Sequence, residues 1–175
     1  MCGANKIVQR VCEKEIIRGG IMKSVFYYDS DIGKIGIAED GSFITNVFFK
    51  NEELHDIKVN ETPLIKEAHK QIEEYLRGER KSFELPISPS GTEFQQSVWN
   101  ALKTIPYGKT VSYKDIAVSV GNEKACRAVG MANNRNPISI IIPCHRVIGK
   151  NGKLIGYGGG IEIKEYLLKL ENNNL

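Results

Sequence analysis

Ile138-Ser139-Ile140-Ile141-Ile142-Pro143-Cys144-His145-Arg146-Val147 sets a thiol at the end of an apolar run interrupted by one serine. A glycine-rich stretch, Gly149 to Gly160, follows directly. Four isoleucines in five residues predict a buried strand, and the glycines predict a flexible loop. A side chain at such a junction is held rigidly by the core and still meets a ligand. A structural cysteine has no need of a flanking proline, histidine and arginine. A nucleophilic one gains from cationic neighbours, because the thiolate is the reactive species. Cys144 is therefore the candidate nucleophile.

Upstream of this stretch the pattern is helical. Thr92-Glu93-Phe94-Gln95 reads as a capping box, and Phe94, Val98 and Leu102 mark one apolar face of a helix ending near Thr104. Pro106-Tyr107-Gly108 is a turn. Ser112-Tyr113-Lys114-Asp115 repeats the capping box and opens a short helix through about Val118. Gly121-Asn122 breaks it, and a further helix is predicted from Glu123 to about Asn133. Two short helices around a glycine turn fit a helix-turn-helix, a pattern that ordinary core pairs share. Ala125, Ala128, Gly130 and Ala132 make the second helix thin enough to enter a narrow groove or to pack closely on another backbone. Downstream, Glu162 to Leu170 reads as a final helix with Ile163, Leu167 and Leu170 on one side.

The other half of the chain reads differently. Residues 25–28, 33–38 and 43–49 are β-branched or aromatic runs parted by Asp29-Ser30-Asp31 and Glu39-Asp40-Gly41, a small antiparallel meander. Thr62 and Pro63 open a helix over 63–77, with Leu64, Ala68, Ile72 and Leu76 spaced by four and Gly78 as its stop. The prolines, serines and glycine between Glu84 and Gly91 mark a linker. The expected organisation is an extension or leader at 1–21, an N-terminal α/β domain at 22–84, a linker at 85–91 and a C-terminal domain at 92–175. Arg18-Gly19-Gly20-Ile21-Met22 can be encoded by a purine tract ahead of an ATG, which makes Met22 a candidate natural start. An ordinary N-terminal extension fits as well.

The totals narrow the class. At 175 residues and 41% apolar, the chain can build a real core. No apolar run approaches the roughly 18 residues needed to cross a bilayer, and the first twenty residues do not form a signal peptide. A cytoplasmic protein is expected. Cys2, Cys12, Cys126 and Cys144 match no zinc or redox spacing, and in a reducing compartment they are not a disulfide framework. Net charge is +3, unevenly placed: residues 1–90 carry 13 basic and 15 acidic side chains, residues 91–175 carry 11 and 6. A basic C-terminal half is a weak electrostatic footprint for a polyanion such as DNA.

Together these pieces resemble the O6-alkylguanine-DNA alkyltransferases. Pro143-Cys144-His145-Arg146-Val147 is similar to the family's active-site motif. The likeness runs through residues 92–171, from Phe94-Gln95, Pro106-Tyr107-Gly108 and Val111-Ser112-Tyr113 to Arg127-Ala128-Val129-Gly130. It continues through Asn136-Pro137 and Gly156-Tyr157-Gly158-Gly159 to Lys164-Glu165-Tyr166-Leu167-Leu168. Residues 23–81 fit the N-terminal domain only in pattern. The resemblance implies an α/β (α+β) fold: a ribonuclease-H-like sheet-and-helix domain, then a mostly helical winged helix-turn-helix domain.

The resemblance also implies roles. Cys144 attacks the alkyl carbon on guanine O6, with O4 of thymine a possible second target, and keeps the group. His145 acts through a water and is oriented by Glu165, the thiol–imidazole–carboxylate logic of a hydrolase applied to another electrophile. Neighbours on a strand point to opposite faces, so His145 serves Cys144 only where the chain turns. Asn136 ties the helix-turn-helix to the active-site strand. Tyr157 walls the base pocket and helps protonate the leaving guanine, while backbone groups around Val147, Gly158 and Gly159 meet the base. Arg127 fills the space left by a flipped nucleotide, Tyr113 crowds the adjacent phosphate, and Ala125, Ala128 and Gly130 let the helix approach the minor groove. The expected partner is double-stranded DNA carrying O6-alkylguanine, met by a monomer with no membrane and no cofactor. No metal is expected, since Cys2, Cys12, His55 and His69 form no convincing ligand set. Cys126 is read as an inert core thiol. A non-catalytic protein that binds alkylated DNA and recruits other factors is the alternative, and Cys144 argues against it.

Overall fold

The computed structural model describes residues 24–49 and 57–175. The leader reading, Cys2, Cys12 and His55 lie outside them. β1 (Ser24–Tyr28), β2 (Ile35–Glu39) and β3 (Ile44–Phe48) form the expected antiparallel meander, with Val25 opposite Ala38 and Ile37 opposite Val47. A short β4 (Lys58–Val59) joins β1 in parallel, giving the order β3-β2-β1-β4. α1 (Pro63–Leu76) opens with Thr62 Oγ1 accepting from the Ile65 N–H at 3.2 Å, and Gly78 follows its end at φ 77°. Its Ile65, Ala68 and Ile72 are fully buried, and so is Tyr75, whose ring meets Phe83 and Tyr107. Each large apolar side chain so buried contributes about 1.5–3 kcal/mol.

The second unit starts at α2 (Glu93–Leu102), where Thr92 and Gln95 form a complete capping box. β5 (Val111–Ser112) leads into α3 (Tyr113–Ser119), opened by the second capping box of Ser112 and Asp115. Then come α4 (Cys126–Asn134), a single 3-10 turn (Cys144–Arg146), β6 (Val147–Ile148) and α5 (Ile161–Asn173). β5 and β6 pair in parallel through Val111 and Val147. Trp99 Nε1 donates to the Ala132 carbonyl at 2.9 Å, fixing α2 against α4. A mixed fold with an N-terminal sheet unit and a helical C-terminal unit is the result.

Three elements depart from expectation. Residues 138–142 are not a strand. Ile138 makes one bridge to Val47, and then the chain turns, with the Ile141 N–H on the Ser139 carbonyl and the Ile142 N–H on that of Ile138. Ile140 sits at φ 70°, a conformation rare for a β-branched residue and costing about 1–3 kcal/mol. Ile138, Ile140 and Ile142 are all fully buried, and that packing overrides the strand preference of isoleucine. α4 starts three residues later than read, because residues 123–125 form a turn closed by the Ala125 N–H on the Asn122 carbonyl. α5 runs past Leu170 to Asn173.

The exposed edge of β3 receives both flanking segments. The Ile44 N–H donates to the Pro86 carbonyl at 2.8 Å and the Ser88 N–H to that of Ile44 at 3.0 Å. Further along the same strand, Val47 N–H meets the Pro137 carbonyl at 2.9 Å and Ser139 N–H meets that of Val47 at 3.0 Å. Residues 86–88 and the segment ahead of Cys144 are thereby pinned to the N-terminal sheet.

Candidate active site

Cys144 opens the 3-10 turn and is 2% exposed. The turn supplies the bend that His145 needs. Asn136 reaches across from the end of α4. Its Nδ2 donates to Cys144 Sγ at 3.1 Å and to the Ile142 carbonyl at 2.8 Å, while its Oδ1 accepts from the Ile138 N–H at 3.1 Å. Asn133, which the sequence reading passed over, is buried and donates to the Cys144 carbonyl at 3.2 Å. Its place at i+4 from buried Val129 on α4 is the signal that could have found it.

Burial pushes the Cys144 thiol up to about 11, against the pull of the Asn136 amide and the Lys164 charge. A thiol held there is almost wholly protonated at neutral pH, so its reaction requires a base at the moment of attack. His145 is fully buried, and burial lowers its pKa despite the carboxylate beside it. It therefore stands neutral, the form that can accept a proton.

The carboxylate is Glu171. Its Oε1 lies 2.7 Å from His145 Nε2 and accepts from the Tyr75 hydroxyl at 2.7 Å. Arg146 donates to it through Nε at 3.0 Å and Nη2 at 2.9 Å, and the Gly108 N–H donates at 2.9 Å. Burial alone would raise this carboxyl, but the hydrogen bonds from His145, Arg146 and Tyr75 prevail and hold it at about 2. An ionised carboxylate only accepts, so His145 Nε2 carries the proton and Nδ1 keeps the lone pair. Nδ1 is buried and has no hydrogen-bond partner among the described residues. The network presents it as the free base.

Glu165 does not take this place. It is exposed, and its carboxylate pairs with Lys169 at 2.8 Å. Lys164, Leu167 and Glu171 are the buried residues of α5, spaced i, i+3, i+7 on one face, and Glu165 lies off that face. The sequence reading ended the helix at Leu170 and so left Glu171 out. The heptad spacing of Glu171 from Lys164 could have pointed to it.

Arg146, read as a cation for the thiol, is committed to Glu171 and to the Ile105 carbonyl at 2.6 Å. The ammonium that lowers the thiol pKa is that of Lys164, whose Nζ donates to the carbonyls of Val147 at 2.6 Å and Ile155 at 2.9 Å. Burial brings Lys164 down to about 8, so it stays charged at neutral pH. Lys164→Met is expected to move the pH midpoint of Cys144 alkylation by iodoacetamide upward, because one favourable charge is lost. It also takes the ammonium from the buried Val147 carbonyl, at about 1–3 kcal/mol, which thermal unfolding reads, while the Ile155 carbonyl keeps the Tyr113 hydroxyl.

The remaining candidates fall into two groups. Tyr157 is buried and close enough for a Cys144 thiolate to raise its pKa, after burial itself. The Val147 carbonyl is engaged by Lys164. Of the glycines in this loop, Gly156 and Gly160 take positive φ, at 60° and 97°, and Gly158 and Gly159 do not. Gly159 is needed for close approach, since a Cβ there would come within 2.6 Å of the Phe49 ring. Away from the thiol, Arg127 and Ala128 are exposed on α4, and Ala125 caps its start without a side-chain bond. Tyr113 lies beside Gly130, where an added Cβ would sit 3.8 Å from its ring, and its hydroxyl donates to the Ile155 carbonyl at 2.7 Å. His69, of the weighed metal ligands, stacks on Tyr28 at 3.5 Å between centroids and lies 3.7 Å from Glu73.

Known proteins are similar to this chain along most of its length. The model of the 6-O-methylguanine DNA methyltransferase DNA binding domain matches residues 93–173, and that of the family's ribonuclease-like domain matches residues 25–89. A methylated-DNA–protein-cysteine methyltransferase of Methanosarcina acetivorans is 55% identical over 150 residues, 83% of this chain and 96% of its own length. The constitutive one of Bacillus subtilis is 50% identical over 151 residues, 82% of this chain and 92% of its own. The crystal structure of Mycobacterium tuberculosis OGT in complex with DNA superposes with a TM-score of 0.81 at 45% identity, covering 86% of this chain and 94% of that one. With both halves matched, and a buried thiol next in sequence to an imidazole–carboxylate pair, the chain belongs to the 6-O-methylguanine DNA methyltransferase family.

Proposed function

We propose that Cys144 is the residue through which this chain acts as a methylated-DNA–protein-cysteine methyltransferase, removing a methyl or larger alkyl group from O6 of guanine. The observation that carries the assignment is the Cys144 thiol, buried and next in sequence to a neutral His145 whose Nδ1 has no partner among the described residues. A water joining Nδ1 to the thiol relays its proton to the imidazole. The sulfur attacks the alkyl carbon, the C–S bond forms, and the bond to O6 breaks. The leaving guanine recovers a proton, for which we assign the Tyr157 hydroxyl. The thioether is chemically stable, and no group here is set to hydrolyse it, so each chain reacts once.

The chain binds DNA. We assign the contact to the exposed side of α4, with Ala125, Ala128 and Gly130 close to the minor groove and Arg127 in the stack. Tyr113 presses on the neighbouring phosphate, and backbone groups at Val147, Gly158 and Gly159 border the base. Flipping the base costs a few kcal/mol. We read the working unit as a cytoplasmic monomer divided at 22–84, 85–91 and 92–175. Among the described residues no helix is long and apolar enough to cross a membrane.

The test is intact mass after incubation with duplex DNA carrying one O6-methylguanine. One added methyl per chain, located at Cys144, supports the reading; tight binding to the lesion with no mass change favours damage recognition without transfer. Arg127→Ala is expected to slow transfer from duplex about tenfold to hundredfold, the worth of part of the flipping cost. Its reaction with a free O6-alkylguanine base, which needs no flipping, stays as fast as in the parent chain.

A further inference from the structure

The structure assigns to Tyr75, a residue of the N-terminal unit, a positioning role in activating the Cys144 thiol. This rests on the reading of Cys144 as the alkyl acceptor. Tyr75 sits near the end of α1, fully buried. Its hydroxyl lies 2.7 Å from Glu171 Oε1 and 3.3 Å from His145 Nε2, and those two atoms are themselves 2.7 Å apart. The hydroxyl donates to the carboxylate, so its oxygen faces His145 with lone pairs only. The Nε2–H thus meets two acceptors, the Glu171 carboxylate and the Tyr75 oxygen. That holds the imidazole in the tautomer whose free nitrogen is Nδ1.

The hydroxyl also tempers the carboxylate. Glu171 divides its charge among His145, Arg146, the Gly108 N–H and Tyr75. The charged groups acting on His145 are Glu171 and Lys164 from α5 and Arg146 beside it, with Tyr75 alone reaching it from α1. Removing one donor leaves Glu171 a stronger partner for a protonated imidazole. The pKa of His145 then rises, and less neutral base is present at a given pH.

The ring of Tyr75 packs on Phe83 at 5.4 Å and on Tyr107 at 6.1 Å between centroids, contacts that phenylalanine would keep. Tyr107 offers a control. Its hydroxyl is also buried in this cluster but has no hydrogen-bond partner among the described residues.

Tyr75→Phe and Tyr107→Phe are compared in the full chain. Two readouts are followed against pH: methyl transfer from duplex carrying O6-methylguanine, and Cys144 alkylation by iodoacetamide. Tyr75→Phe is expected to slow transfer on the order of tenfold with DNA affinity unchanged. The acid limb of both pH profiles should move to higher pH. Tyr107→Phe should leave rate and profiles as they are. Parental rates and profiles in Tyr75→Phe overturn the proposal. So does an equal slowing of both variants that tracks lost thermal stability. If the parent chain takes no methyl at all, the functional reading fails, and the iodoacetamide profiles still decide the role of Tyr75.

Discussion

Cys144→Ser is expected to bind a duplex carrying O6-methylguanine and to remove nothing from it. The parent chain should saturate at one methyl, whereas the variant keeps its unmodified mass through the same incubation. The loss in rate should be on the order of 10⁴-fold or more, as for removal of a nucleophile elsewhere. A serine hydroxyl is a far weaker acid than a thiol and a poorer nucleophile toward an alkyl carbon, so the same imidazole activates it too little for displacement. Asn136 Nδ2, now 3.1 Å from the sulfur, can still donate to the serine oxygen, so the variant should fold. Cys126→Ser is the matched control. Cys126 is half-buried at the start of α4 with only a long contact, 3.5 Å, to the Glu123 carbonyl, and its replacement should leave the stoichiometry at one.

Glu171→Gln carries the second large effect. It removes the charge that answers Arg146 in a site where both side chains are buried. Breaking one partner of such a pair costs about 3–5 kcal/mol, enough to lower the midpoint of thermal unfolding by many degrees. Transfer should fall as well, because an amide can donate to His145 Nε2 and so free the wrong nitrogen. Glu165→Gln, on the same helix, should change stability by no more than about 0.5 kcal/mol and leave transfer alone. The pH dependence separates them further. Glu171 ionises at about 2 in the folded chain against an ordinary 4.5. A depressed carboxylate contributes its stability above the ordinary value and loses it as pH falls toward the folded one. Denaturant unfolding between pH 5 and 2 should therefore show an acid-labile component in the parent chain and in Glu165→Gln. The component should be smaller in Glu171→Gln, where the depressed carboxylates of Glu61, Glu74 and Asp115 still contribute.

The contrast between these two glutamates shows where the reading of the chain stopped. Residue type and neighbours made Cys144 legible, because proline, cysteine, histidine and arginine in sequence have few structural uses. Capping boxes at Thr92 and Ser112 were legible because a helix start is a local event, decided by a side chain and an amide three residues apart. The meander and α1 were legible through period and turn residues. The carboxylate was not. Which glutamate of α5 meets His145 depends on where the helix ends and which face it turns inward, and both are set by packing against the 3-10 turn. Tyr75 was invisible for the same reason: 70 residues separate it from His145, and along α1 it is one more apolar position.

Read from its residues alone, the chain shows its class: two units, a helical C-terminal half, one thiol marked for chemistry and an excess of basic residues in the C-terminal half. Those features rest on local pattern and composition, which each segment carries wherever it sits. Tertiary structure decided the path of residues 138–142, the cation that acts on the thiol and the atoms that set the imidazole tautomer. A run of isoleucines prefers a strand, but complete burial of Ile138, Ile140 and Ile142 holds it in turns, with Ile140 at φ 70°. Buried charge likewise follows the partners within reach, so Arg146 turns to Glu171 and Lys164 is left to act on Cys144. Such outcomes are sums over groups far apart in the chain, and only the folded core brings those groups together.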